Sequence, residues 1–191
     1  MGQADDHLSD ARRFGLLFDA HRRAVLGYAL RRLDDPQDAA DTVAETFLVA
    51  WRRLDDVPRG GDARPWLLGV ARRVLANQRR SVRRHVGLAD RLRHELGTQV
   101  VTVRDPSATD LVVRRALAAL SEDDREVLLL AGWEGLSPAE IGVAVGVSGV
   151  TARSRLHRAR RRLRAELDAL APEGSTTDGT TTLDLAKGHT R

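Results

Sequence analysis

Cysteine is absent from the 191 residues, so neither a disulfide nor a thiolate metal site is available, and the chain reads as one for a reducing compartment. No apolar run approaches the roughly eighteen residues a membrane span requires, and the start, MGQADDHLSD, is acidic and polar rather than leader-like. The expectation is a cytoplasmic chain without membrane insertion. Strand signals are nearly missing, the short Gln99 to Val103 being one candidate, and no repeat period is visible. The six histidines, His7, His21, His85, His94, His157 and His189, include no close pair at metal-ligand spacing, and no carboxylate pair stands out for acid or base work. No catalytic residue, metal or cofactor is therefore assigned, and the chain is not read as an enzyme. With 42% hydrophobic residues it has enough apolar material for real cores. The fold class to expect is all-α, as two small helical domains.

Lysine is also scarce: only Lys187 is one, and the remaining positive charge is arginine. That charge is unevenly spread. Residues 63–94 carry nine basic side chains against one acidic, and residues 148–166 carry seven against one. The flanking stretches run the other way, with nine against twelve over 1–62 and four against nine over 95–147. A solvated helical surface normally mixes signs, so two single-sign blocks imply two places where a polyanion docks.

The second block lies in the most informative stretch, LSPAEIGVAVGVSGVTARSRLHRARRRL, from Leu136 to Leu163. Ser137 and Glu140 have capping-box spacing, and Pro138 falls at the first helical position, where its missing N–H costs nothing. Ile141, Ala144 and Val145 share a face of this helix, Gly146 supplies a left-handed turn, and Ser148 caps a second helix. Along that helix Ala152, Leu156, Ala159 and Leu163 repeat at three and four. Arg153, Ser154, His157, Arg160 and Arg161 are thereby turned outward. Small and apolar within, basic without, describes a helix-turn-helix whose second helix enters a DNA groove.

Upstream, Phe14, Leu17, Phe18, His21, Val25 and Tyr28 trace an apolar helical stripe, with His21 read as a core histidine. A second helix begins at Pro36 with Asp35 as its cap, and Ala40, Val43, Phe47, Ala50 and Leu54 form its inward seam. Asp38, Asp41 and Glu45 lie off that seam, as dipole and solubility residues or as a docking surface. Val57 to Asp62 is a loop, and from Pro65 a third helix turns Val70 and Val74 inward, with Trp66 either in the core or lining a strand-binding surface. Gly87 to Leu96 fits a short helix, Gly97 to Thr109 a polar linker. Leu111 to Leu120 reads as a helix, Ser121 caps the next, and Gly132 or Gly135 ends it. The tail from Pro172 is too rich in Gly, Ser and Thr to offset its ordering entropy and is expected to be disordered.

In this order the segments resemble the sigma factors of bacterial RNA polymerase, of the small extracytoplasmic-function (ECF) type. The resemblance spans roughly Phe14 to Leu167. DPQDAADTVAETFLVAWRRLD looks like region 2.2, RPWLLGVARRVLANQRRS like regions 2.3 and 2.4, and the stretch from Leu120 to Leu163 like region 4. It implies a region 2 domain over 9–86, a linker over 87–109, a region 4 domain over 110–171 and a tail over 172–191. It further implies a transcription initiation factor that binds core polymerase, brings it to promoter DNA and assists melting, with an anti-sigma factor as a further partner. Asp38, Asp41, Glu45 and Phe47 would dock on polymerase. Trp66, Arg72, Arg73, Asn77, Arg79 and Arg80 would hold the melted −10 element, and Ser148, Thr151, Arg153, Ser154, His157 and Arg158 would read the −35 element. Val150 stands where the family frequently has Gly, and Ala152 where it frequently has Val.

A plain regulator with a LuxR-type output helix-turn-helix is the competing reading, but the first 62 residues lack the strand-helix alternation of a receiver domain. An enzyme acting on nucleic acid would need a nucleophile or metal cluster that the chain does not offer. A purely protein-binding module is tied to the acidic helix and predicts no promoter recognition.

Overall fold

The computed structural model describes residues 2–93 and 108–170, with side chains for 9–80 and 111–170. Seven α-helices, and no strand, occur among the described residues: α1 Gly2–Leu30, α2 Pro36–Arg52, α3 Ala63–Arg93, α4 Ala108–Ala119, α5 Glu122–Gly132, α6 Pro138–Val145 and α7 Gly149–Leu170. The chain divides into two compact units, one holding α1 to α3 and the other α4, α5, the start of α6, and α7. The segment Gln99 to Val103 and the tail 172–191 lie outside the described residues.

In the N-terminal unit α1, α2 and α3 pack against one another. Val25, Tyr28 and Ala29 of α1 are buried with Leu67, Val70, Ala71 and Val74 of α3. An aromatic cluster ties α1 to α2: Phe18 meets Phe47 edge-on at 4.8 Å, and Phe14 meets Phe47 at 6.2 Å and Trp51 at 5.1 Å. Such pairs add about 0.5–1.5 kcal/mol each beyond the apolar area they remove from water. As expected, α2 begins at Pro36, with the Asp35 carboxylate accepting the Gln37 N–H at 2.8 Å.

The inward seam of α2 differs from the sequence expectation. Its buried residues are Ala39, Thr42, Thr46, Phe47 and Ala50, while Ala40 is exposed and Val43 only half-buried. The reason is local hydrogen bonding. Thr42 Oγ1 donates to the Asp38 carbonyl at 2.8 Å and Thr46 Oγ1 to the Thr42 carbonyl at 2.7 Å. Thr46 satisfies its hydroxyl within the helix, and Thr42 Oγ1 also lies 3.2 Å from Gln78 Oε1 of α3, so both residues are buried without an unsatisfied polar group. Leu54 is buried, yet it belongs to a separate 3-10 turn, Leu54–Asp56, because α2 has ended at Arg52.

α3 starts at Ala63, two residues before the expected Pro65, which sits in the first turn where it has no N–H to forfeit. It then runs unbroken through Gly87 to Arg93, instead of giving way to a second short helix. One glycine costs a helix only about 1 kcal/mol, less than an interruption would cost in lost bonds. The span assigned to a linker from 87 thus opens as helix. His21, expected in the core, is only half-buried; it lines a cleft with Leu17, Val57 and Pro58. Burial and the Arg64 charge lower its pKa below the ordinary histidine value.

In the C-terminal unit α4 and α5 both pack on α7. Ala116, Leu120, Val127, Leu130, Leu136, Ala152, Leu156 and Ala159 are buried. Ser121 Oγ accepts the Asp124 N–H at 3.2 Å and starts α5, which ends at Gly132. The end of α4 is closed by a side chain from the next helix. Arg125 donates to the carbonyls of Leu117, Ala118 and Leu120 at 2.8, 3.0 and 3.1 Å. The Leu117 carbonyl also accepts the Leu120 N–H at 3.3 Å; the guanidinium fork adds a donor there and serves the Ala118 and Leu120 carbonyls at the helix end.

Candidate nucleic-acid interface

The helix-turn-helix is built by the local chemistry its letters imply. Ser137 N–H donates to Glu140 Oε2 at 2.8 Å, and Glu140 N–H donates to Ser137 Oγ at 3.3 Å. This reciprocal pair satisfies two donors at the start of α6. At the other end Gly146 adopts φ +77°, and the Val147 N–H reaches back to the Gly142 carbonyl at 2.9 Å, a Schellman closure. Ser148 Oγ then accepts the Thr151 N–H at 3.1 Å to cap α7.

Two further glycines set how closely the turn approaches α6. A Cβ at Gly142 would lie 2.7 Å from the Val147 carbonyl oxygen, and one at Gly149 would lie 3.2 Å from Ala139 Cα. Backbone therefore rests on backbone here, and any larger residue at Gly142 has to push the turn away. The packing side of α7 is equally lean, since Ala152, Leu156 and Ala159 are its buried residues.

Arg153, Ser154, His157, Arg158, Arg160 and Arg161 are all exposed, as the periodicity requires. Ser148 and Thr151 are exposed too, but their hydroxyls lie 2.8 Å apart and serve the cap. Arg158 Nε also reaches the Ser154 carbonyl one turn earlier, at 3.4 Å. Arg162, on the same basic helix, is also exposed but has a partner within the unit. It pairs with Asp124 of α5, a residue only 8% exposed, and so fastens α7 to its own unit.

On α3 the candidate residues do not form a single surface. Trp66, Arg73, Asn77 and Arg80 follow at intervals of seven, four and three, which keeps them on one stripe. Arg72 and Arg79, seven apart, lie about a third of a turn away. Arg73, Asn77, Arg79 and Arg80 are exposed, and Trp66 and Arg72 are half-buried. Arg73 and Asn77 also line a groove of about 330 Å³ between α2 and α3, together with Glu45, Val49 and Gln78. Glu45 therefore lies beside residues of the other candidate set.

On α2, Asp38, Asp41 and Glu45 are exposed. Phe47 is not: at 3% exposure it is fixed among Phe14 and Phe18, where it packs α2 against α1 and offers almost no surface. The neighbouring residue takes the surface position. Leu48 is 46% exposed and stands seven residues after Asp41, in line with it, with Trp51 43% exposed one turn further on. Sequence reasoning missed both, although counting Thr42 and Thr46 as inward would have turned Leu48 out. Among the described residues no three His, Asp or Glu side chains converge as metal ligands, and no helix is long and apolar enough to cross a membrane.

Comparison with known proteins gives the same two-part division. A family model described as Sigma-70 region 2 matches residues 17–85, and one described as Sigma-70, region 4 matches residues 110–163. The ECF RNA polymerase sigma factor SigL of Mycobacterium tuberculosis (strain ATCC 25618 / H37Rv) is 38% identical over 162 residues, covering 81% of this chain and 88% of that protein. The RNA polymerase sigma factor NccH of Alcaligenes xylosoxydans xylosoxydans is 32% identical over 163 residues, covering 82% and 87%. Among solved structures, the sigma factor RpoE in complex with the anti-sigma factor NepR from Bartonella quintana is similar with a TM-score of 0.59 and 26% identity, covering 81% of this chain and 96% of that one.

Proposed function

The chain belongs to the ECF sigma factors, the transcription initiation factors that give RNA polymerase its promoters, and from that membership we propose that its two units divide a promoter between them. The region 2 domain, 9–86, takes the −10 element and polymerase, and the region 4 domain, 110–171, takes the −35 element, with 87–109 as the connection. The observation that carries this reading is α7, a helix with a lean alanine-leucine seam on one side and arginines on the other, held at a glycine-tight turn. Arg153, Ser154, His157 and Arg158 face the major groove, with Ser148 and Thr151 at its entrance. A bidentate arginine-base contact discriminates by about 1–3 kcal/mol, whereas phosphate contacts set the salt dependence.

At the −10 element the Trp66, Arg73, Asn77 and Arg80 stripe receives unpaired bases, while Arg72 and Arg79 hold the backbone from the side. Breaking stacking costs about 1.4 kcal/mol per base step, and each base stacked on an aromatic or arginine side chain returns about 1–3 kcal/mol. A bubble of several steps exceeds what this small surface supplies alone, so the chain traps an opening that polymerase helps to make. Polymerase is met by the outer face of α2. Leu48 is the apolar centre of that contact, and Asp38, Asp41 and Glu45 are the acidic rim that selects a basic counterpart. Two weak DNA contacts on one enzyme reinforce each other through effective concentration, so element spacing matters more than either half-site.

The chain acts in the cytoplasm, performs no catalysis of its own, and is held inactive by an anti-sigma factor, as the RpoE relative is found with one. The test is reconstitution with core polymerase. Run-off transcription from selected promoters only when the chain is added supports the reading. Sequence-specific DNA binding without polymerase, and no transcript in the same assay, would refute it in favour of a plain regulator.

A further inference from the structure

Val150 is 75% exposed, more than any other large apolar residue among those described. A lone exposed valine needs no explanation, but the place of this one is specific. The buried seam of Ala152, Leu156 and Ala159 defines the inward direction of α7. At about 100° per residue the opposite direction belongs to Val150, Ser154 and Arg161, with His157 beside them. Val150 is the apolar side chain on that line, and it stands in the first turn, the part of a recognition helix that reaches base edges.

The chemistry of the major groove gives such a side chain one natural counterpart. Thymine presents a 5-methyl group there, and apolar side chains are what recognise it. Valine is also stiff in a helix, because its branched Cβ leaves one strongly preferred rotamer, so little freedom is lost on contact. Resting on the reading of α7 as the groove helix, the geometry points to Val150 as a specificity-determining residue that selects a thymine in the upstream element by its methyl group. The arginines around it anchor phosphates and guanines, and Val150 adds the one apolar letter.

The test uses the full chain with core polymerase on a promoter found by run-off transcription, replacing each upstream thymine in turn by uracil, which lacks only the methyl group. One replacement should weaken holoenzyme binding about fourfold, the effect of withdrawing one methyl-sized group from an apolar contact. With Val150→Ala, which leaves the thermal melt unchanged, that loss should shrink below about twofold, and Val150→Thr, which keeps a γ-methyl, should restore part of it. Equal uracil sensitivity in the parent and Val150→Ala overturns the assignment. So does the absence of any sensitive thymine beneath an intact upstream footprint. Loss of the upstream footprint in the parent chain would instead overturn the role of α7 itself, which separates the two failures.

Discussion

The two arginine-rich helices carry similar charge on opposite kinds of support. α7 rests on its unit through Ala152, Leu156 and Ala159, so most of its circumference faces outward. α3 is buried along much of its first half, through Leu67, Val70, Ala71, Val74 and Leu75, with Arg73 and Arg80 on one stripe and Arg72 and Arg79 on another. A helix that must lie in a groove needs a narrow base and a broad free face. On the reading proposed for α3, a helix that guides a single strand needs edges beside a wall, which the flanking α2 would supply. Composition alone does not tell these apart; the width of the buried seam does.

The contrast is tested most severely in the N-terminal unit, where adjacent residues are assigned opposite roles. Phe47→Ala should cost about 3–5 kcal/mol, seen as loss of the N-terminal unit's thermal transition while the C-terminal one persists. Leu48→Asp should leave both transitions in place and abolish co-elution with core polymerase. If Leu48→Asp unfolds the unit, or Phe47→Ala folds normally and only loses polymerase, the assignment of the two faces is wrong.

A smaller effect is expected where α7 departs from its own rule. Arg162→Ala should destabilise the C-terminal unit by about 1–3 kcal/mol, because Asp124 is left nearly buried without its ion-pair partner. Adding Asp124→Asn should recover part of the loss. An Arg162→Ala chain that melts normally but binds every promoter more weakly would make Arg162 a phosphate contact instead.

Within the outward face, Arg153→Ala should relax base choice in the upstream element by about 1–2 kcal/mol of discrimination. Arg160→Ala should weaken all sequences alike and lower the salt slope by about 0.9. Identical, sequence-independent losses would erase the distinction between readers and anchors. The smallest effect concerns His21, whose pKa is lowered in the folded state by burial and by Arg64. Its neutral form is favoured by folding, so stability is fully present above the ordinary histidine pKa of about 6.5 and declines as pH falls through the lower folded value. Thermal melts of His21→Gln should lack that component of the acid decline.

Much of this was legible from the letters because it is made of short-range chemistry. The Ser137–Glu140 box, the Asp35 and Ser148 caps and the Gly146 turn each lie within a few residues of their partners, and all formed as read. The inward register of α2 was misread because threonine is written as polar, whereas Thr42 and Thr46 satisfy their hydroxyls on carbonyls of their own helix and, for Thr42, on Gln78 of α3 as well. Phe47 was inward by periodicity and is buried; only the role that the family resemblance implied for it called for exposure, and Leu48 beside it is the exposed apolar residue. The separate short helix expected over Gly87 to Leu96 is instead the continuation of α3 as far as Arg93, since one glycine does not outweigh the rest of a long helix. The Arg162–Asp124 pair spans 38 residues, and no local pattern announces a partner at that separation.

The tight seat between α6 and the start of α7 has a consequence for how such a protein changes its targets. With backbone lying on backbone at Gly142 and Gly149, the bearing of the reading helix is not an adjustable quantity. New promoter preferences must therefore arise by exchanging outward letters on a fixed chassis, one position at a time. That makes the helix a natural site for engineering mutually insulated gene switches from a common parent.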